Sequence, residues 1–179
     1  MRIGIDISQI AYESTGVANY LSNLVRELVK SNNQEYILFF SSLRRTLPLE
    51  FENEMKRSNV RIKKFKLPPT VLDLLWNKFH IVTIEKLIGD IDIFITSDWT
   101  EPPVRRAKKA TIVYDLILYR HPDETDQKII SVQKKKLEWV KKESSIVFCI
   151  SESTKKDAIE ILGLDPKKAK VIYPGIAAV

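Results

Sequence analysis

Gly16 stands where an anion could be held. It ends the run Ser8-Gln9-Ile10-Ala11-Tyr12-Glu13-Ser14-Thr15-Gly16, which follows a first apolar strand and opens a helical pattern. A glycine at a helix start lets another group approach the backbone, where free N–H groups and the positive end of the helix dipole favour negative charge. The same spacing allows a plainer reading. Gly16 would then make a tight turn, and Ser14 or Thr15 would only cap the helix. Residues alone leave both open. What they exclude is sharper: neither G-x-G-x-x-G nor G-x-x-x-x-G-K-[ST] occurs, and the five glycines lie too far apart for either phosphate cradle. That argues against a nicotinamide dehydrogenase and a P-loop ATPase.

Other reactive residues are sparse. His80 falls within an apolar helical pattern and reads as packing, whereas His121 precedes Pro122 in a loop after Asp115. Two histidines without a matching cluster make no zinc site, so no metal is expected. Cys149 lies mid-strand and reads as inert core; a single cysteine excludes a disulfide framework and fits a reducing compartment. No G-x-S-x-G elbow is present. Basic runs occur at Arg61–Lys66, Arg105–Lys109, Lys134–Lys136 and Lys155-Lys156. Lysines on helix outer faces are usually solvated surface. The functional alternative is an anionic membrane surface, where each basic side chain contributes roughly 1 kcal/mol. Nucleic acid is not expected, because no recognition-helix or aromatic-interleaved strand accompanies the charge.

The elements that must position these residues follow from the apolar pattern. With 179 residues, 44% of them hydrophobic, and a net charge of +6, the chain suits one globular domain, 1–179. The longest uncharged stretch, Ser14 to Val25, is short of the roughly 18–20 residues that span a bilayer. Strands are expected at Arg2–Ile7, Tyr36–Ser41, Val60–Phe65, Ile91–Thr96, Thr111–Asp115, Ser145–Ile150 and Lys170–Tyr173. Most are continuous apolar runs, which suits strands covered on both faces of a parallel sheet. Helical stripes lie between them: Val17, Leu21, Leu24 and Leu28; a Thr70–Ile88 segment with Leu72, Leu75, Trp76, Phe79 and Val82; a charged helix over Asp123–Glu143; and Asp157–Leu162, stopped by Gly163. Repeated strand-helix units imply an α/β fold: a doubly wound, mostly parallel Rossmann-like sheet of about seven strands with helices on both faces. Ligands of such sheets bind beyond the carboxyl ends of the strands.

Taken in order, the motifs resemble a specific family. Met1-Arg2-Ile3-Gly4-Ile5-Asp6, then Ser14-Thr15-Gly16-Val17-Ala18-Asn19-Tyr20-Leu21, look like the opening of family 4 glycosyltransferases, which are retaining enzymes of the two-domain GT-B fold. Ile112-Val113-Tyr114-Asp115-Leu116-Ile117, Arg120-His121-Pro122-Asp123, Cys149-Ile150-Ser151-Glu152-Ser153-Thr154 and Lys170-Val171-Ile172-Tyr173-Pro174-Gly175 continue the likeness. It covers essentially the whole chain but only the N-terminal, acceptor-side half of such an enzyme. The resemblance implies a C-terminal donor-binding domain, with a Glu-x7-Glu motif, absent from this chain. The chain is therefore expected to be a piece of a longer protein, inactive alone.

The resemblance also implies roles. Gly16 would admit the donor diphosphate. Tyr114-Asp115 stand where the family usually has His-Asp, so Tyr114 departs from the pattern and the sugar contact of that His does not transfer. Asp115 could orient the sugar or cap its turn. Glu13, Asp98, Trp99, Glu101 and Ser151 fall to the acceptor side. Trp99 could stack on a sugar or pack against prolines, and Ser151 could cap a helix instead. Implied partners are a nucleotide sugar as donor substrate, with no cofactor, and a sugar or lipid-linked acceptor. The expected location is cytoplasmic, with a peripheral contact at the inner membrane face as an option. The competing reading is a stand-alone Rossmann-like binding module using its basic surface.

Overall fold

Tyr36-Ile37-Leu38-Phe39-Phe40 shows why the sheet is central. Tyr36, Leu38 and Phe40 join one buried cluster, while Ile37 and Phe39 join another on the opposite face. A strand buried on both sides must lie inside a layered α/β structure. The computed structural model describes residues 1–97 and 99–175. Its elements run β1 (Arg2–Asp6), α1 (Gly16–Leu28), β2 (Glu35–Ser41), α2 (Leu49–Glu54), β3 (Val60–Phe65), α3 (Pro69–Leu72), α4 (Glu85–Ile88), β4 (Ile93–Thr96), β5 (Lys108–Val113), α5 (Ile117–Arg120), α6 (Gln127–Glu143), β6 (Ser144–Cys149), α7 (Glu152–Glu160) and β7 (Ala169–Val171). The seven strands form one sheet in the order β3-β2-β1-β4-β5-β6-β7. Every pairing is parallel. The order reverses between β1 and β4, so the loops leaving those strands diverge and open a crevice.

Helix α1 lays Ala18, Leu21 and Val25 on one face of the sheet. Across β1, Gly4 lies so close to the next strand that a Cβ there would sit 2.7 Å from the Phe94 ring. Helix α6 buries Ile130, Leu137 and Val140, with Asp126 rather than an earlier residue as its N-cap. Gly163, at φ 64°, takes the left-handed stop after α7.

Two expectations need correcting. The Thr70–Ile88 helix is broken into α3, a wide turn of π-type over Asp73–Lys78, and α4. Between them His80 and Val82 adopt φ of 52° and 63°. Side-chain bonds to the backbone override the helical period here. The buried Trp76 indole donates to the Val82 carbonyl at 2.9 Å, and His80 Nδ1 donates to the Trp76 carbonyl at 2.7 Å. The second correction is β5, which begins at Lys108 and ends at Val113 rather than spanning Thr111–Asp115. Tyr114 and Asp115 are thereby released from the ladder.

Candidate active-site cleft

The loop after β1 builds one wall. Ser8 N donates to Asp6 Oδ1 at 2.9 Å, and a short 3₁₀ turn over Ser8–Ala11 leads to Tyr12. Burial pushes the Asp6 carboxyl above its ordinary value, against the opposing pull of the Ser8 hydrogen bonds and the Lys136 charge. Thr15 is the N-cap of α1: its Oγ1 accepts from Ala18 N at 3.2 Å and donates to the Tyr12 carbonyl at 2.9 Å. Gly16 has no positive φ, and a Cβ on it would meet nothing within 4 Å. The fold itself therefore has no need of glycine there. The tight-turn reading falls, and open space remains above the first amides of a 13-residue helix.

The loop after β5 builds the facing wall. Tyr114 OH bonds Ser97 Oγ at 2.9 Å, and its ring meets Tyr20 edge-on with centroids 5.6 Å apart. Asp115 is exposed, and its Oδ1 accepts from Ile117 N at 3.1 Å. The carboxylate thus caps its own turn and still faces the cleft. Gly16, Tyr114 and Asp115 line a cavity of about 600 Å³ with Tyr20 and Tyr173. Tyr114 and Asp115 also line an adjoining lobe of about 250 Å³ with Trp99, Gln133 and Lys136. A third lobe of about 360 Å³ lies between Tyr12, Thr15, Pro69 and Trp99, at the β1/β4 switch point. Val17 borders all three, so the lobes adjoin one another beyond the carboxyl ends of the strands.

Trp99 stands where two lobes meet, its carbonyl held by Asn77 Nδ2 at 2.9 Å. Glu13 is exposed on the loop leading to α1. Asp98 lies outside the described residues. Glu101 is a correction: it is fully buried and does not reach the cleft. Its carboxylate accepts from Thr96 Oγ1 at 2.7 Å and Thr111 Oγ1 at 3.1 Å, and pairs with the buried Lys109 ammonium at 3.1 Å. Ser151 is a second correction. It caps α7, accepting from Thr154 N at 3.0 Å, and Thr154 in turn donates to the Tyr114 carbonyl.

Three residues escaped the sequence reading. Lys136, grouped above with solvated lysines, is 2% exposed and donates to the Ser97 carbonyl at 2.7 Å, which puts a cation at the cleft floor. Its spacing of three from Gln133 and four from Val140 is the signal that would have found it. Lys109, also counted with the surface runs, is 1% exposed. Asn77 gave no sequence signal. It joins the broken helical segment to the Trp99 loop, and its Oδ1 also accepts from Glu101 N at 3.0 Å. Among the described residues no three His, Cys, Asp or Glu side chains gather as a metal site, and no helix is long and apolar enough to cross a membrane.

An all-parallel sheet in this order, with a cleft at its switch point, defines a doubly wound, Rossmann-like domain. The family model for Glycosyltransferase Family 4 matches residues 14–178, and the chain belongs to that family. No curated protein sequence matches it significantly. Among solved structures, the crystal structure of Anabaena Alr3699/HepE in complex with UDP aligns with 98% of this chain and 44% of its own, at 13% identity and a TM-score of 0.50. The structure of Phytolacca americana apo UGT2 aligns with 98% of this chain and 52% of its own, at 11% identity and a TM-score of 0.55. Identities this low speak for the fold alone, which is one half of a GT-B architecture. The chain spans about half the length of the solved structures it resembles.

Proposed function

We propose that this chain is the acceptor-side domain of a retaining glycosyltransferase that moves a sugar from a nucleotide sugar to an acceptor hydroxyl. The observation that carries this reading is the cleft itself. Gly16, at an open helix start, shares one cavity with Tyr114 and Asp115, and Trp99 borders the lobes that continue from it. The donor diphosphate approaches the Gly16 backbone. The Tyr114 phenol supplies a hydrogen bond where the family's histidine would, and the Asp115 carboxylate orients a sugar hydroxyl. Trp99 offers its ring to the acceptor, with Glu13 at the rim. Departure of a diphosphate from an oxocarbenium-like transition state calls for fixed donors and positive charge rather than a protein nucleophile. Most of that charge comes from a second domain, so the 179-residue chain is silent by itself.

The test compares this chain with a longer protein that includes any following domain, on a panel of nucleotide sugars. Turnover by the longer protein alone, with the product's anomeric configuration retained, is expected. Steady turnover by the short chain sinks its predicted silence, and an inverted product sinks the retaining assignment. The exposed basic residues of β3, Arg61, Lys63 and Lys64, extend the reading to the inner face of an anionic membrane. Sedimentation with anionic vesicles should then occur at low salt and fade at high salt, and its absence at low salt removes that contact.

A further inference from the structure

We propose that the acceptor lobe is built for a ligand carrying an oxyanion, a phosphoryl or carboxylate group, recognised by Arg45. This rests on the acceptor-side reading above and adds a chemical class to it. The loop after β2 is fixed at both ends. Ser42 N donates to the Phe65 carbonyl at 3.2 Å, Arg45 N donates to Ser42 Oγ at 2.9 Å, and Leu47 is buried in the core. From this loop the Arg45 guanidinium lies 4.4 Å over the Tyr12 ring and donates Nη1–H to the Ala11 carbonyl at 3.4 Å. Tyr12 is itself a wall of the third lobe, beside Trp99 and Pro69. Arg45 therefore stands one side chain away from the place where the acceptor is expected.

Its stacking sets it apart rather than its lack of a carboxylate, since Arg44, Arg57, Arg61 and Arg106 also meet none among the described residues. Arg2, Arg26, Arg105 and Arg120 each meet a carboxylate: Glu35, Glu54, Asp90 and Asp157. Among the described residues Arg45 meets none; an aromatic face and one carbonyl hold it instead. A guanidinium offers five N–H donors in a rigid plane, so stacking on a ring fixes that plane and leaves the remaining edge for a bidentate oxyanion. Holding the side chain in advance removes much of the ordering cost of binding. Arg44 beside it and Lys66 after β3 are exposed and add to the positive rim, and the open N-terminus of α1 adds the same sign. Val17, Pro69, Tyr12 and Trp99 give the lobe an apolar floor suited to a sugar face.

The experiment is an NMR titration of the 179-residue chain, reading the ring signals of Tyr12 and Trp99. The probes are glucose 6-phosphate, glucuronate, methyl glucoside and short-chain phosphatidylglycerol. At least one anionic probe is expected to saturate roughly tenfold more tightly than methyl glucoside, the ratio one charge-assisted hydrogen bond supplies. Arg45→Gln should bring that probe down to the level of the glycoside, and Arg45→Lys should restore only part of the difference. Arg45 is exposed, so neither variant threatens the fold. Which anion leads identifies the source: the sugar phosphate, the uronate or the lipid headgroup. Equal affinity for the neutral glycoside, or an anion preference that survives Arg45→Gln, overturns the proposal while leaving the acceptor lobe standing. No saturable shift with any probe up to about 20 mM removes both.

Discussion

Two acids follow neighbouring strands and meet opposite fates. Glu101 comes after β4 and Asp115 after β5. Glu101 turns inward to Thr96, Thr111 and Lys109, in a buried layer that continues through Glu143 to His80. Asp115 stays exposed beside a cavity of about 600 Å³. The buried layer gives its charges partners: Lys109 lies 2.8 Å from Glu143, Glu143 lies 2.8 Å from His80, and His80 stacks on Trp139 at 3.6 Å. Position after a strand is therefore a weak sign of function by itself. The stronger sign is a polar group that still borders open volume once its contacts within the fold are made.

The largest expected effect breaks the closed region. Lys109→Met leaves Glu101 and Glu143 without their shared cation in a buried setting, and loss of one partner of a buried pair costs about 3–5 kcal/mol. Urea unfolding of the 179-residue chain should show that loss. A change below about 1 kcal/mol would mean that the layer is less closed than its contacts indicate.

Next comes Gly4→Ala. A methyl group 2.7 Å from the Phe94 ring and 3.0 Å from Ile88 forces the core apart, at about 1–3 kcal/mol. Phe94→Leu should relieve part of that loss in the double variant. Strict additivity would mean that the two sites do not touch.

A smaller effect concerns pH. Burial pushes the Glu143 carboxyl up, but the hydrogen bond and charge of Lys109, together with His80, outweigh it and hold the group below its ordinary value of 4.5. Its stabilising contribution is therefore fully present above that value and lost as pH falls through the lower, folded-state value. Wild type should exceed Glu143→Gln in stability at neutral pH, with the gap closing as acid is added below about pH 4.5. Asp6 has the opposite sign, since burial raises its carboxyl, but it is common to both chains and cancels in the difference. A gap independent of pH would remove Glu143 from the ion-pair account.

Legibility in the sequence followed the range of the forces involved. Strand β2 reads nearly to the residue, because burial on both faces writes itself as an unbroken apolar run. The break between Asp73 and Glu85 did not, because it depends on Glu143 in α6 reaching His80. Gly16, Tyr114 and Asp115 were legible as candidates from motif order, and the structure gathers them in one cavity. Glu101 misled because its partners Lys109 and Thr111 belong to another strand. Arg45 carried no local signal, since its stacking on Tyr12 joins two loops 33 residues apart in sequence, by the difference of their numbers.

The smallest effect on stability gives the finest test of the open region. Gly16→Ala adds a methyl group into space with no neighbour within 4 Å, at a helical residue where alanine is the better helix former. Stability should stay within about 0.5 kcal/mol of wild type, with any change toward greater stability. Donor binding should suffer nevertheless, because the same methyl group occupies the approach to the first amides of α1. In the longer protein, nucleotide-sugar turnover should fall by roughly tenfold or more, since small displacements of a reacting group are costly. Gly4→Ala and Gly16→Ala then separate cleanly: one loses stability through contacts inside the fold, the other loses turnover through contacts with something outside it. If Gly16→Ala destabilises the chain as Gly4→Ala does, Gly16 belongs with the closed region. If it changes neither stability nor turnover, the space above Gly16 is not where the donor enters.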